Sequence, residues 1–580
     1  MKKNTFSWSG IILLAIIVGA VFLRTYEFND WLYFKMDQSR DALLISKAVE
    51  KGPGYLPLLG ARAGAVELDQ GFLRLGPIFY YFQYAAGALF HSTEPYVYAY
   101  PDLLFSILAI PLLYLFARLY FSEKNSLLVT AMYAFSFIII QYSRFAWNPN
   151  SLQFFLLLSF YGLLRFLGET QDARKKWWLA VWAVGITVGS QLHFFGFFSL
   201  LGISGLLIVT HFRLWKKANV LYFFQKNILK KIAVYVGILA VVFTIFYTPV
   251  IISDIRKGGE NTNNFFEALT AKPVKKPLAD KLGKSATENL KYYCLITTSR
   301  CYSSNSKNDL PAILVTGLVL VSGLVLAVRG LRRKDGSVAR KDFLSLLLIW
   351  VGVFTILTIP VSFQLRPRFF IVVFAIPFLF LGLVFEYLEE KFSRTQALAA
   401  AILLAAGVIA LNSQGTYAWF KEQSASQKGE LAVKRTLILK AKDGVTLGQL
   451  KRTTDWIYAR HKAGRTLYFY VKPEHIRPLE FLFWQKHDKD LTYKSLSWNE
   501  DPKAQFFAVV PAGSGLEAVR KKYGHEVSII AQEQFGQLSV YEFDFDNRTT
   551  SPAFKLKKSR ASEDRVFWKD VFDIENKAKE

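Results

Sequence analysis

Apolar runs of roughly 17 to 24 residues recur along the first 415 positions, and no other feature constrains the fold as much. A helix of that length crosses a hydrocarbon core of about 30 Å and satisfies its own backbone polar groups where water cannot. The runs fall near 9–24, 98–118, 124–142, 151–167, 177–192, 195–212, 231–251, 311–328, 343–362, 369–387 and 396–413, which makes about eleven crossings. The first lies behind Lys2 and Lys3, as in a signal peptide or a first transmembrane helix. More spans follow and no small-residue cleavage site stands out, so it reads as a retained helix. Composition agrees: 52% of the 580 residues are hydrophobic, which excludes disorder, and two cysteines are too few for a disulfide scaffold. Lys and Arg number 71 against 45 Asp and Glu, a net charge of +26. With a mean hydropathy of +0.23, that excess points to basic cytoplasmic loops before nucleic acid.

The basic loops set the expected orientation. Arg118 and Lys124 flank one turn and Arg174, Lys175 and Lys176 a second. Arg213, Lys216, Lys217, Lys230 and Lys231 mark a third, and Arg329, Arg332, Arg333, Lys334, Arg340 and Lys341 a fourth. They alternate correctly if the N-terminus is inside and residues 76–91 do not cross. That stretch is short, opens with Gly76-Pro77 and carries Tyr80, Tyr81 and Tyr84, so an interfacial helix is expected. The outer face then holds a first loop after Arg24, turns at 143–150 and 363–368, a long loop near 252–310, and everything after about 414. From about 430, strand-like stretches at 467–472, 506–510, 527–531 and 538–545 alternate with helical patterns, a small soluble α/β domain. The expected divisions are 1–415, 416–550 and a charged, loose tail at 551–580. Cys294 and Cys301 fall in the long outer loop, either as a disulfide or as two thiols without a role.

Ionisable groups gathered on one membrane face are the natural candidates for chemistry. The first outer loop supplies Asp37, Arg40 and Asp41 at the start of an amphipathic helix whose apolar positions are Leu44, Ile45, Ala48 and Val49. Taken alone, this is more simply a solvated helix N-terminus. The same face also carries Glu67, Asp69 and Arg74, the turn Ser143-Arg144-Phe-Ala-Trp147-Asn148-Pro-Asn150, Gln191-Leu-His193, and Arg366-Pro-Arg368.

Taken in order, the D-x-x-R helix start at Asp37, the Gly76-Pro77-aromatic segment, Y-S-R-F at 142–145, Q-L-H-F at 191–194 and R-P-R-F-F at 366–370 resemble the glycosyltransferases of the GT-C fold that use lipid-linked sugars. Bacterial aminoarabinose transferases, rhizobial lipopolysaccharide glycosyltransferases and protein O-mannosyltransferases are the members most alike, over roughly residues 8–415. The chain departs from them in Leu75-Gly76-Pro77 where relatives have Pro-Pro, in Gln38 where Glu is common, and in the Asn148-Pro-Asn150 turn where many carry Asp.

The resemblance implies a polytopic helical GT-C membrane domain that passes a sugar from a polyprenyl phosphate to an acceptor hydroxyl on a lipid, glycan or protein. Phosphate leaves as a stable anion, so one carboxylate can serve as base, and a single displacement inverts the anomeric carbon. Asp37 matches that position. Fixed positive charge for the leaving phosphate is assigned first to Arg366 and Arg368, then to Arg74 and Arg40, with Asp41, Arg144, Asn148 and His193 as further pocket residues. The plain readings are headgroup snorkelling for the arginine pair, a structural histidine, and polar groups at an interfacial turn. No cofactor is fixed; some relatives use a divalent metal and others do not. Asp544-Phe-Asp546 imitates a metal-binding D-x-D but lies on an alternating strand with no dinucleotide fold before it. Two other functions compete. A transporter or flippase would place charge at mid-membrane and show matched repeats, and an assembly factor would use the outer domain to bind a partner.

Overall fold

The structure is a computed structural model that describes residues 8–63, 68, 71–216, 225–270, 275–301, 309–430, 433–435, 444–488, 492–495, 504–524, 526–546 and 565–572. A helix lies over every one of the apolar runs. Among the described residues, eight helices are long and apolar enough to cross a membrane: Trp8–Thr25, Val97–Ala117, Phe194–Phe212, Asn227–Arg256, Leu310–Arg332, Val338–Thr358, Pro367–Lys391 and Arg394–Gln427. The other three fall short for local reasons. Leu152–Gly168 is short, at 17 residues, and Asp172–Leu192 begins with a charged turn. The run at 124–142 is broken into Glu123–Ala134 and Phe137–Tyr142. A break in an apolar layer strands backbone donors. Here the Asn412 side chain accepts from Phe137 N–H at 3.0 Å, while Ser136 donates to the Ile296 carbonyl at 3.1 Å.

Numbered in chain order, the helices that shape the site are α1 (Trp8–Thr25), α2 (Met36–Lys51) and α3 (Ile78–Leu89). At about 1.5 Å per residue the 12 residues of α3 fall well short of a bilayer, as its interfacial assignment requires. The long outer loop expected at 252–310 is a correction: it contains helices Glu260–Thr270 and Leu278–Thr298. Charged and polar residues interrupt their apolar positions, so a search for continuous apolar runs passes over them. Cys294 and Cys301 form a disulfide there.

The membrane helices have two distinct ends. At one, Arg340 donates to the Tyr120 hydroxyl at 3.1 Å, Arg333 pairs with Glu390, and His211 meets Asp342 at 2.8 Å, so three basic turns converge. The other end carries the first loop and the C-terminal domain. The last long helix runs on to Gln427, past the expected end near 413, and leads into a five-stranded mixed sheet. Its strands are β1 (Thr466–Val471), β2 (Thr492–Ser495), β3 (Ala504–Pro511), β4 (Val527–Phe535) and β5 (Leu538–Phe545), in the order β2-β1-β3-β5-β4. Strand β1 is parallel to both β2 and β3, whereas β5 is antiparallel to both β3 and β4.

This domain is fastened to the first loop. Leu447 N–H donates to the Leu32 carbonyl at 2.9 Å and Gly448 N–H to that of Asp30 at 3.0 Å. Phe34, buried, packs on Phe481 of the helix Pro473–Trp484, and Lys451 pairs with Glu94. Residues 565–572 return to the same loop, contrary to the loose tail expected; the remainder of that tail lies outside the described residues.

Candidate active site

Asp37 occupies the first turn of α2, where the free N–H groups of a helix favour a carboxylate. Its side chain is 54% exposed and accepts from Arg40 Nη1 at 3.2 Å. Arg40 Nε also donates to Asp41 Oδ1 at 2.8 Å, and the Tyr80 hydroxyl donates to that same oxygen at 2.8 Å. Burial opposes the charge on Arg40, but Asp41, Tyr80 and Asp37 outweigh it and hold the guanidinium above its usual range. Tyr80 is pushed up to about 12, first by burial and then by Asp41, so it stays a hydrogen-bond donor. Gln38 has a reason to be an amide. Its Oε1 accepts from Lys35 N–H at 3.3 Å while its Nε2 donates to the Ala146 carbonyl at 3.2 Å, which a glutamate could not do.

That last bond joins α2 to the 143–150 turn, and further contacts draw in the remaining motifs. Asn148 donates to the Leu192 carbonyl at 2.6 Å, closing the C-terminus of helix Asp172–Leu192. His193 sits next, its ring 5.5 Å from that of Phe369, and Arg368 lies over Trp147 at 5.3 Å. Arg368 is close enough to interact electrostatically with Asp37, His193 and Arg366. Burial, and then the Arg368 charge, push His193 down to about 3. Its Nδ1 accepts from Phe195 N–H at 3.2 Å, leaving Nε2 as the donor. Arg366 is exposed, its guanidinium 3.3 Å from the Leu365 carbonyl. Asp37, Arg40, Asp41, Asn148, His193, Arg366 and Arg368 thus share one end of the helical bundle.

Arg144 is brought there too, with its guanidinium engaged by backbone carbonyls. It is buried and donates to the carbonyls of Leu23 at 3.2 Å, Arg24 at 2.9 Å and Tyr26 at 2.5 Å, the unpaired end of α1. Asn148 is half committed in the same way. Glu67 and Asp69 lie outside the described residues.

Arg74 is placed apart from Asp37, on a cavity of about 320 Å³. Phe194, Phe197, Val250, Ile251, Phe265 and Phe266 give it apolar walls; Arg74, Gln191, Asp254 and Asn261 give it polar points. Asp37, Arg366 and Arg368 do not line it. Gly76 stands at its edge because the Gln191 side chain presses on the backbone there, so a Cβ at that position would collide with the amide. Gly76→Ala is therefore expected to cost about 1–3 kcal/mol by overpacking and to displace Gln191. A fall in melting temperature together with weaker binding of a lipid phosphate would show it; an unchanged melting curve and unchanged binding would refute it.

Two buried groups escape a reading of the sequence. Asp102, fully buried within an apolar run, accepts from Trp147 N–H at 2.8 Å and from Ser151 at 2.5 Å, and so shapes the 145–151 turn. A lone acid in a span was the available signal. Tyr80 looked like an interfacial anchor. Among the described residues no three His, Cys, Asp or Glu side chains converge, and Asp41 is already engaged by Arg40 and Tyr80. Among the described residues, the donor set beside Asp37 does not fit a divalent ion.

The chain is similar to known proteins in part of its sequence and in its fold. Residues 65–251, less than half of the chain, match the family described as dolichyl-phosphate-mannose-protein mannosyltransferase; that stretch holds Arg74, Arg144, Asn148 and His193 but not Asp37. No curated protein matches by sequence. ArnT from Cupriavidus metallidurans in the apo state is 13% identical over 92% of this chain and 97% of its own, with a TM-score of 0.50. The same protein bound to undecaprenyl phosphate gives 12%, 92%, 98% and 0.44. The Archaeoglobus fulgidus oligosaccharyltransferase in the apo form gives 14%, 88%, 70% and 0.49. These matches give no support to a transporter. The likeness to ArnT shows a polytopic membrane fold of the GT-C type, and residues 65–251 are similar to the mannosyltransferase family.

Proposed function

We propose that the chain moves a sugar, with inversion, from a polyprenyl phosphate to an acceptor hydroxyl at the outer face of a cytoplasmic membrane. The observation that carries this reading is the convergence of Asp37 with the Arg40 and Arg368 guanidiniums and the neutral His193 at one end of the bundle. The outward orientation rests on the basic turns at the opposite end, which the insertion bias keeps in the cytoplasm.

In the reaction, the acceptor oxygen bonds to the anomeric carbon as the bond from that carbon to the phosphate oxygen breaks. Asp37 takes the acceptor proton, and the electron pair leaves with the polyprenyl phosphate. No general acid is needed, because the leaving group is already a stable anion. Arg368 and Arg366 meet the charge that collects on it; a guanidinium does so without losing its proton. His193 can donate from Nε2 to a sugar or phosphate oxygen while adding no charge. The cavity beside Arg74 has the apolar walls and few polar points that suit the phosphate end of a lipid. That the matched family is described by dolichyl-phosphate mannose supports a donor of this kind.

Mass spectrometry of the envelope lipids, glycans and proteins of cells with and without the chain tests the reading. A saccharide present only with the chain is expected, and its mass and attachment identify sugar and acceptor together. Identical profiles under conditions where the protein is made would remove the reading.

A further inference from the structure

The described part of the C-terminal tail is held at the site by several independent bonds. Leu58 N–H donates to the Val566 carbonyl at 2.9 Å and Trp568 N–H to the Leu56 carbonyl at 3.1 Å, with an antiparallel bridge between Pro57 and Phe567. Trp568 Nε1 donates to the Tyr81 hydroxyl at 2.9 Å, and that hydroxyl donates to the Pro57 carbonyl at 3.2 Å. On the far side, Arg256 Nη1 donates to the Asp570 carbonyl at 2.7 Å. The segment therefore ties the loop before α3 to the end of the helix Lys226–Arg256, the same two elements that flank the larger cavity.

Within it, Arg565 faces two neighbourhoods. Its guanidinium lies 5.6 Å from the Tyr80 ring centre, and Nη1 is 3.5 Å from the Tyr80 hydroxyl. That hydroxyl fixes Asp41, and Asp41 fixes Arg40, the partner of Asp37. Arg565 also lines a small cavity of about 20 Å³ with Arg74, Lys257, Asp254 and Asn261, three of which line the larger one. It stands between the proposed donor cavity and the proposed base.

We propose that residues 565–572 are a working part of the transferase site, a strap in which Arg565 is a positioning residue. Its charge holds Tyr80, and through Tyr80 the Asp41–Arg40 pair, in the arrangement that presents Asp37. The inference rests on the glycosyltransferase reading and adds that the chain needs its own C-terminus to transfer sugar. Tyr80 has two oriented neighbours, the acceptor Asp41 and the cation Arg565; removing the cation leaves its hydroxyl held from one side, and the aspartate helix loses a brace.

The experiment uses the full chain in its own membrane, with the saccharide that distinguishes cells carrying the chain as the product measured, normalised to the amount of membrane protein. A chain ending after residue 564 should lose product about 10²-fold, the scale on which small misplacements of a reacting group act. Because a truncated chain can fail for want of folding, Arg565→Gln and Arg565→Lys are compared in the complete chain. Lys should retain more than half of the product and Gln should lose about tenfold, with equal melting temperatures for both. Hydrogen exchange of purified protein should rise over 36–51 in the Gln variant and stay unchanged over 338–391. Product from the truncated chain within about twofold of the full chain, or Gln indistinguishable from Lys, overturns the strap. A full-length chain that makes no product overturns the transferase reading instead, so the two failures are told apart.

Discussion

Asp37→Asn is expected to abolish transfer while leaving a folded, inserted protein. The loss expected for a general base is about 10²–10⁴-fold in rate. The side chain is more than half exposed in a first helical turn, and Arg40 keeps its shorter bond to Asp41, so stability should change by no more than about 0.5 kcal/mol. Donor binding should be nearly unchanged, because the amide removes proton acceptance and leaves Arg366, Arg368 and the cavity in place. Transfer assayed in membranes beside a melting curve in detergent separates the two quantities. A variant that transfers at the normal rate leaves no base in the mechanism.

Arg144→Ala gives the opposite pattern: a large loss of stability with little change in substrate affinity in whatever protein still folds. Arg144 donates to three carbonyls at the end of α1 and lies within 6 Å of the Trp419 and Phe420 rings. Hydrogen bonds to a charged group contribute about 1.5–3 kcal/mol each, less than additively, and leaving the carbonyls buried without a donor brings the expected loss to roughly 3–5 kcal/mol. Arg144→Lys keeps the charge but cannot reach three acceptors from one point, so it should recover only part of this. Melting temperature and membrane yield measure the effect. A variant of normal stability that binds a lipid phosphate poorly would return Arg144 to the pocket.

The contrast between these two residues shows what can be read from one chain. Apolar runs gave the helices because each span must satisfy its own backbone, a constraint that acts locally along the sequence. The motif turns at 143–150, 191–193 and 366–368 could be placed on one face by counting crossings, and the contacts of Gln38, Asn148, His193 and Arg368 join them. Counting cannot say which neighbour a polar side chain serves once there. Arg144 and Arg368 look alike in sequence, yet one closes a helix end more than 100 positions away, as its bond to Arg24 across 120 residues makes plain. Asp102 was hidden within an apolar run, and Tyr80 among other interfacial tyrosines, because burial and pairing are settled by elements distant in the chain. The helix Leu278–Thr298 was passed over because its first half is charged and polar and the buried stretch Tyr292–Thr298 is too short to read as a span. The tail misled for a related reason: charge and position suggested solvation, whereas Trp568 and Arg565 have tyrosines waiting for them in the first loop.

The fastening of the sheet domain onto residues 30–34 bears on how such enzymes could be recombined. The aspartate helix begins immediately after that stretch, and Phe34 is wedged against Phe481 from the far end of the chain. A chimera that exchanges the sheet domain with that of a relative while keeping the native first loop would graft a foreign surface directly behind the proposed base. Interchangeable modules here are not the consecutive halves of the polypeptide but the loop and the domain inherited as a pair.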